Sequence, residues 1–598
     1  MMHARRDAGI PVKDDAPSDI KAGHDDDLNE WILKANPTPV KETSLRAVVR
    51  KLEQKKFYDR QFALTQAQTK MNRYTLRFSG AYEAAYAAST ETDSIVLVRV
   101  VFLYGFLLRA GFLAYSYSFA STHARPVTLV LDFGVSLPAF VLGFALTFVP
   151  RRRQSSLSLE ALTAIVFAIV AASLIAKKPL ERAQGPVLEL MLLLIPIFGI
   201  SRMRFVTSVV LGCAIVLVYL GVQLGAAVYV PGCDTPKEVL YQTFNYSIRV
   251  FGGIVSHYRQ ELLRRRNFAL QLPFTGLVGG DTYMPQRPAV LSTPLMHPYR
   301  LHFRDLRVEA AFYQFWYLID PFPFENIYNP LLHNGVVRVV RGALISVCLS
   351  QGLLAFQDMK LLEMYPSVQV AAYLARFAVV LPAYLVMVAT IYCLSRRFVR
   401  HATSLDAMHD SSYVGAAQSV AAVVVTLHMA AMATLVLVVY TADATLSDLY
   451  FMGFLNALLF VHRSGFRVRF VVAGCTTAVS VVGFVVAAAC VLPRAVSIEY
   501  AMYTVAVLLL GSLTSHEEEA LRRSFFVLKS IRTLQFLDWF DQVLTVQSWM
   551  RTKLHTRLAA IRGTADDETS HVGVTAQMDK ASNVDLMGQV VEAIASIV

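Results

Sequence analysis

Charge is scarce in this sequence. Asp, Glu, Lys and Arg supply 17% of 598 residues against 55% hydrophobic residues, and the mean hydropathy is +0.45, a balance that excludes an ordinary soluble globular domain. Paired cysteines are lacking as well: Cys213, Cys233, Cys348, Cys393, Cys475 and Cys490 lie singly, mostly inside apolar runs, with no metal-ligand spacing and no disulfide framework. They read as packing residues. Residues 1–93 hold no apolar core, so no signal peptide is expected and insertion relies on the first true span. A phosphate loop is missing too, because Gly276, Gly279 and Gly280 are not followed by Lys and Ser or Thr. No pore loop fits in the short stretches 230–237 and 493–498, and no nucleotide-binding domain of an ATP-binding-cassette exporter is encoded. The net charge of +12 does not point to nucleic acid, since Lys and Arg flank apolar segments instead of forming a compact basic domain.

What the chain does have is a text written twice. Phe133, Gly134, Val135, Ser136, Leu137, Pro138, Ala139, Phe140 returns as Phe377, Ala378, Val379, Val380, Leu381, Pro382, Ala383, Tyr384. Tyr74, Leu76 and Phe78 return as Tyr299, Leu301 and Phe303, and Arg202 to Val206 as Arg467 to Val471. An ordered series of matches predicts two homologous halves. With about 20 apolar residues per crossing, twelve spans are expected. They lie near 95–118, 127–149, 158–176, 186–200, 205–229 and 238–257, then 336–356, 368–395, 414–441, 446–461, 468–492 and 499–515. The fold class is therefore all-α, a polytopic membrane protein with a duplicated six-helix bundle. Its bounds are a polar N-terminal region 1–93, a first repeat 94–270, a connector 271–333, a second repeat 334–530 and an amphipathic helix with polar tail over 531–598.

Arg151, Arg152, Arg153, Arg202 and Arg204 follow spans two and four of the first half. Arg396, Arg397, Arg400, Arg463, Arg467 and Arg469 follow them in the second. The opposite loops are poorer, with Arg125, Lys177, Lys178, Arg182, Lys237, Lys360 and Arg494. Lys and Arg favour the cytoplasmic side, so both termini and the connector are expected there.

Each sixth span runs into a charged helix. Glu261, Arg264, Arg265 and Phe268 correspond to Glu519, Arg522, Arg523 and Phe526. A rigid exit helix can carry a movement of the bundle to whatever lies below, and Arg264 and Arg265 are expected to matter for that coupling. Ionisable residues inside spans are costly and therefore candidates for function: Arg109, Glu189, Arg249, Arg376 and His428. Glu189 and Arg249 are the expected buried pair of the first half, with no acidic counterpart in the second. His428 reads as a hydrogen-bonded packing residue, and Arg99 and Arg338 as snorkelling anchors.

Each half is preceded by a Leu, Phe, Glu, aromatic stretch (Leu76, Phe78, Glu83, Tyr86; Leu301, Phe303, Glu309, Phe312) and followed by the Glu, Arg, Arg, Phe helix. In these features residues 74–270 and 299–530 resemble the membrane regions of class III adenylyl and guanylyl cyclases. The family's catalytic domains fit neither 271–333 nor 531–598, and Asp538 and Asp541 read as a solvated helix face rather than a metal site. The resemblance thus implies a module without catalysis or cofactor. It would sit in the plasma membrane and act as receptor, regulator or assembly partner in cyclic-nucleotide signalling, with a separate catalytic subunit or a second copy of the chain as partner. A secondary transporter of six plus six helices is the alternative reading.

Overall fold

The computed structural model describes residues 71–119, 129–149, 158–271, 296–318, 333–401, 412–462 and 468–568, apart from residues 73, 80, 81 and 298. The expectations for residues 1–70, Arg151 to Arg153, most of the connector, Arg463, Arg467 and the tail beyond 568 lie outside the described residues, as do the side chains of Arg338, Asp538 and Asp541. Among the described residues there is no strand; the two isolated β-bridges join Met71 to Phe78 and Met296 to Phe303.

The first half holds α1 (Tyr82–Phe119), a π-helical turn Val130–Ser136 leading into α2 (Leu137–Leu146), α3 (Leu159–Glu181), α4 (Leu188–Gly199), α5 (Phe205–Tyr229) and α6 (Pro236–Gln271). After α7 (Leu306–Leu318) come α8 (His333–Leu361) and α9 (Pro366–Tyr373), then a second π-helical turn Leu374–Val380 leading into α10 (Leu381–His401). The chain continues through α11 (Ser412–Ala442), α12 (Ala444–Phe460), α13 (Phe470–Val491) and α14 (Arg494–Glu568). The larger of two compact units contains both sets of apolar helices, within 38–269 and 312–525. In it α3 packs against the first π turn, α2, α4 and α5, while α11 packs against the second π turn, α10, α12 and α13. The described parts of the smaller unit lie within 270–311 and 526–568.

Among the described residues, seven helices are long and apolar enough to cross a membrane: Asp93–Ser118, Leu159–Glu181, Phe205–Tyr229, Pro366–Leu394, Gly415–Ala442, Phe470–Val491 and Arg494–Ser530. The chain is thus a helical protein with the character of an integral membrane protein. Twelve spans were expected; length and polarity account for four of the five segments outside these seven, and the fifth, near 336–356 in α8, has much of its first part outside the described side chains. Val130–Leu146, Leu188–Gly199 and Ala444–Phe460 are apolar but short; the 12 residues of α4 rise only about 18 Å against a hydrocarbon core of about 30 Å. Apolar except for Glu189 in its first turn, α4 buries all its other residues, as an interior helix must. Helix α6 is long but polar, burying Gln242, Asn245, Arg249, His257 and Gln260.

Each π turn precedes a proline at the second position of the next helix, Pro138 and Pro382. Proline lacks the N–H of the regular ladder, and the widened turn closes with five-residue bonds from Leu137 to the Asp132 carbonyl and from Leu381 to the Arg376 carbonyl. The cysteines are not core residues: all six are free, and Cys348, Cys393, Cys475 and Cys490 are exposed.

Candidate functional site: the exit helices and the buried charges

The approach to α1 is a tight loop in which Leu76 takes a positive φ of 57° and Asn72 Oδ1 accepts from the amides of Tyr74 and Thr75 at 2.9 and 3.1 Å. The Phe78 amide then donates to Glu83 Oε2 at 2.9 Å. That carboxylate is where Arg265 of α6 arrives: Nη1 reaches Glu83 Oε2 at 2.6 Å and Nη2 reaches Oε1 at 3.1 Å. Arg265 Nε donates to Glu261 Oε1 at 2.8 Å. The four-residue spacing of Glu261 and Arg265 puts them on one helix face, with Glu on the favourable N-terminal side. The guanidinium lies 4.3 Å from the Tyr86 ring centroid and 5.2 Å from that of Phe78, and Phe268 completes an aromatic box at 5.4 and 5.9 Å from those rings. A bidentate, stacked and buried Arg is strongly positioned. Burial pushes the Glu83 carboxyl up, but the hydrogen bonds from Arg265 and the Phe78 amide, with the nearby guanidinium charges, hold it below its ordinary 4.5.

The same parts recur further along the chain. In the smaller unit Leu301 has a φ of 56°, the Phe303 amide donates to Glu309 Oε2 at 2.8 Å, and Phe303 lies 6.0 Å from Phe526. In the larger unit Arg523 bonds Glu519 Oε1 through Nε and Nη2 at 3.0 and 2.8 Å and stands 4.2 Å over Phe312. Glu519 Oε2 also accepts from the Phe470 amide at 2.9 Å.

Among the described residues, several side-chain hydrogen bonds tie the two halves together within the larger unit, including one from Lys237 Nζ to the Lys360 carbonyl at 2.8 Å. Asn267 Nδ2 donates to the Leu521 carbonyl at 3.2 Å, Arg202 Nε to Glu517 Oε1 at 2.8 Å, and Arg249 Nη1 to Asn456 Oδ1 at 3.0 Å. Arg249 therefore bonds across the halves to an amide, and the expected Glu189–Arg249 pair does not form. Glu189 instead accepts from Arg109 at 3.1 Å. Its helix begins at Leu188, which sets Glu189 one position into α4 and within reach of Arg109 on α1.

Arg109 also bonds Asp132, whose other oxygen takes Lys177 Nζ at 2.8 Å. The second half does have an acidic counterpart: Arg376 grips Asp358 at 2.5 and 3.1 Å and Gln351 Oε1 at 2.9 Å, while Tyr450 donates to Asp358 at 2.7 Å. Asp132 and Asp358 are fully buried. The sequence signal was present one residue upstream of the recurring string, where Asp132 precedes Phe133 as Arg376 precedes Phe377. Lys178, counted among loop residues, is buried in α3 and pairs with Asp234 and Gln242. His428 Nδ1 meets Tyr384 Oη at 2.9 Å, a packing bond. Arg99 donates to Thr147 Oγ1 and its carbonyl at 3.0 and 2.9 Å, so it is anchored by the protein itself.

A cavity of about 60 Å³ lies beside Arg109 and Glu189, lined chiefly by Tyr104, Leu108, Phe140, Leu192 and Leu510. Among the described residues no group of three or more His, Cys, Asp or Glu side chains could hold a metal ion. No family model matches the sequence, and no curated protein matches it.

Proposed function

We propose that this chain is a membrane module of two six-helix halves, similar to that of a class III cyclase but without its catalytic domains, acting as receptor, regulator or assembly partner in cyclic-nucleotide signalling. The observation that carries the reading is the clamp on α6: Arg265, Glu83, Glu261, Tyr86, Phe78 and Phe268 lock the helix leaving the first half to the segment entering it. A helix held so tightly cannot move without the bundle. Arg523 with Glu519 and Phe312, and Phe526 with Phe303, support the same role for α14.

In this reading all twelve apolar segments cross the bilayer, including short α4 and α12 and polar α6, and the termini lie in the cytoplasm of a plasma-membrane protein. A lipid, ligand or partner that binds one arrangement of the halves better than another shifts the exit helices by its differential affinity. The partner is a separate catalytic subunit or a second copy of the chain.

The test is cyclic-nucleotide synthesis from ATP and GTP in the chain purified gently from its native membranes, with apparent mass checked in the same sample. Activity at 66.4 kDa means a catalytic subunit travels with it, and activity at a larger mass means the sequence is part of a longer cyclase. Absence of activity together with absence of a co-purifying cyclase sinks the proposal.

A six-plus-six secondary transporter is the second reading, favoured by the buried carboxylates Asp132 and Asp358, one in each half. Substrate sites are usually several hundred Å³, and the apolar cavity beside Arg109 is far smaller. Uptake by proteoliposomes would revive it.

A further inference from the structure

The two arginines of the first exit helix differ in a way their adjacency conceals. Arg265 is saturated by Glu83 and Glu261. Arg264 is 7% exposed, and its Nε, Nη1 and Nη2 make no hydrogen bond within the protein. The carboxylate within ion-pair range, Glu261 Oε2 at 3.8 Å, belongs to a side chain whose other oxygen is committed to Arg265. Gln260, one turn earlier, is fully buried with neither amide atom bonded, and the Asn267 carbonyl oxygen is likewise without a partner. Residues 260, 264 and 267 fall on one stripe of α6. That stripe faces α14, because Asn267 donates to the Leu521 carbonyl there.

Comparison with α14 explains the imbalance. Arg522 occupies the place of Arg264 and is neutralised by Glu518 at 2.7 and 3.1 Å; the place of Glu518 is taken in α6 by Gln260. Replacing one carboxylate by an amide leaves a buried guanidinium with its whole donor fork free. A buried charge without hydrogen bonds is costlier than one that has them, and a free fork matches two oxygens of a phosphate.

We infer that Arg264, with Gln260 and Asn267 beside it, is a binding site for a phosphate group, brought either by a phospholipid headgroup or by a free phosphate. The inference goes beyond the signalling role, since binding is read directly whether or not the exit helices transmit anything.

The experiment uses the full chain in a phosphate-free maltoside micelle, following the unfolding temperature and intact-complex mass as inorganic phosphate is added, and separately as phosphatidic acid is added. Binding to the wild type is expected in one arm, a response to inorganic phosphate identifying the free anion and a response to phosphatidic acid alone identifying the headgroup. Gln260→Glu gives Arg264 the intrahelical partner that Arg522 already has; it keeps the fold and should weaken binding about tenfold or more, the loss of one charge-assisted interaction. Arg264→Gln should do the same, whereas Arg522→Gln should leave binding in place. If neither probe binds, or if Gln260→Glu responds like the wild type so that the rise is a general salt effect, the site does not exist.

Discussion

Asp132 and Arg376 occupy the same position in two π-helical turns and carry opposite charges, each met by a partner on the preceding long helix: Arg109 of α1 for Asp132 and Asp358 of α8 for Arg376. Each pairing keeps a buried charge matched inside an apolar bundle. The swap also gives the halves different complementarity, because Arg109 placed against Arg376 would bring like charges together. Breaking a buried pair from one side costs about 3–5 kcal/mol. Arg376→Ala should therefore lower the unfolding temperature sharply, and Arg376→Asp combined with Asp358→Arg should recover part of it. A double variant no better than the single one would mean that Gln351 and Tyr450, not charge matching, set the cost.

The two exit arginines should separate on substitution. Arg265→Lys keeps the charge but loses the fork on Glu83 and the stack on Tyr86, and is expected to destabilise by about 1–3 kcal/mol. Arg264→Gln removes a charge that no hydrogen bond compensates, and should be neutral or stabilising in phosphate-free micelles. Thermal unfolding of both variants in the same detergent decides; equal losses would contradict the assignment.

The Glu83 clamp should resist mild acid. Because the folded-state pKa of Glu83 is lowered, its contribution is fully present above the ordinary value of 4.5 and is lost only as pH falls through the lower folded value. The Phe78–Phe268 contact, followed by limited proteolysis of the loop before α1, is expected to stay intact from pH 7 to 5 and to loosen below 4.5. Glu83→Gln should abolish that pH dependence; loosening already at pH 6 would point to another group.

Glycine substitutions should report the fit of α14 against its neighbours. A Cβ on Gly511 would stand 2.6 Å from His462 Cδ2 and one on Gly199 2.7 Å from Thr514 Oγ1. Gly511→Ala must displace the ring that Ser515 and Thr477 hold at 3.0 and 2.9 Å, and overpacking of this kind costs about 1–3 kcal/mol. Gly453→Ala meets nothing within 4 Å and should stabilise α12 by up to about 1 kcal/mol. Unfolding midpoints of the pair should fall on opposite sides of the wild type.

Hydropathy and the recurring string marked out every apolar segment as a helix, because period and apolar length are local properties of the chain. The Glu-x-x-x-Arg spacing of Glu261 with Arg265 and of Glu519 with Arg523 is also present in the sequence, but that these residues pair along each helix emerged only with the structure. Partner choice was not legible: Glu189 could be seen as a buried acid, but its bond to Arg109 depends on how α1 and α4 pack.

What the sequence determined by itself is the helical, membrane-like character of the protein and the positions of its charged exit turns, since these follow from composition and from spacing along one helix. The tertiary structure alone decided which charges meet, that α4 is an interior helix, that Arg265 is saturated while Arg264 is not, and that Asp132 and Arg376 point inward. Those outcomes rest on distances between residues far apart in the chain and on two widened turns before Pro138 and Pro382, and a buried charge takes whichever partner the packing of the helices brings within reach.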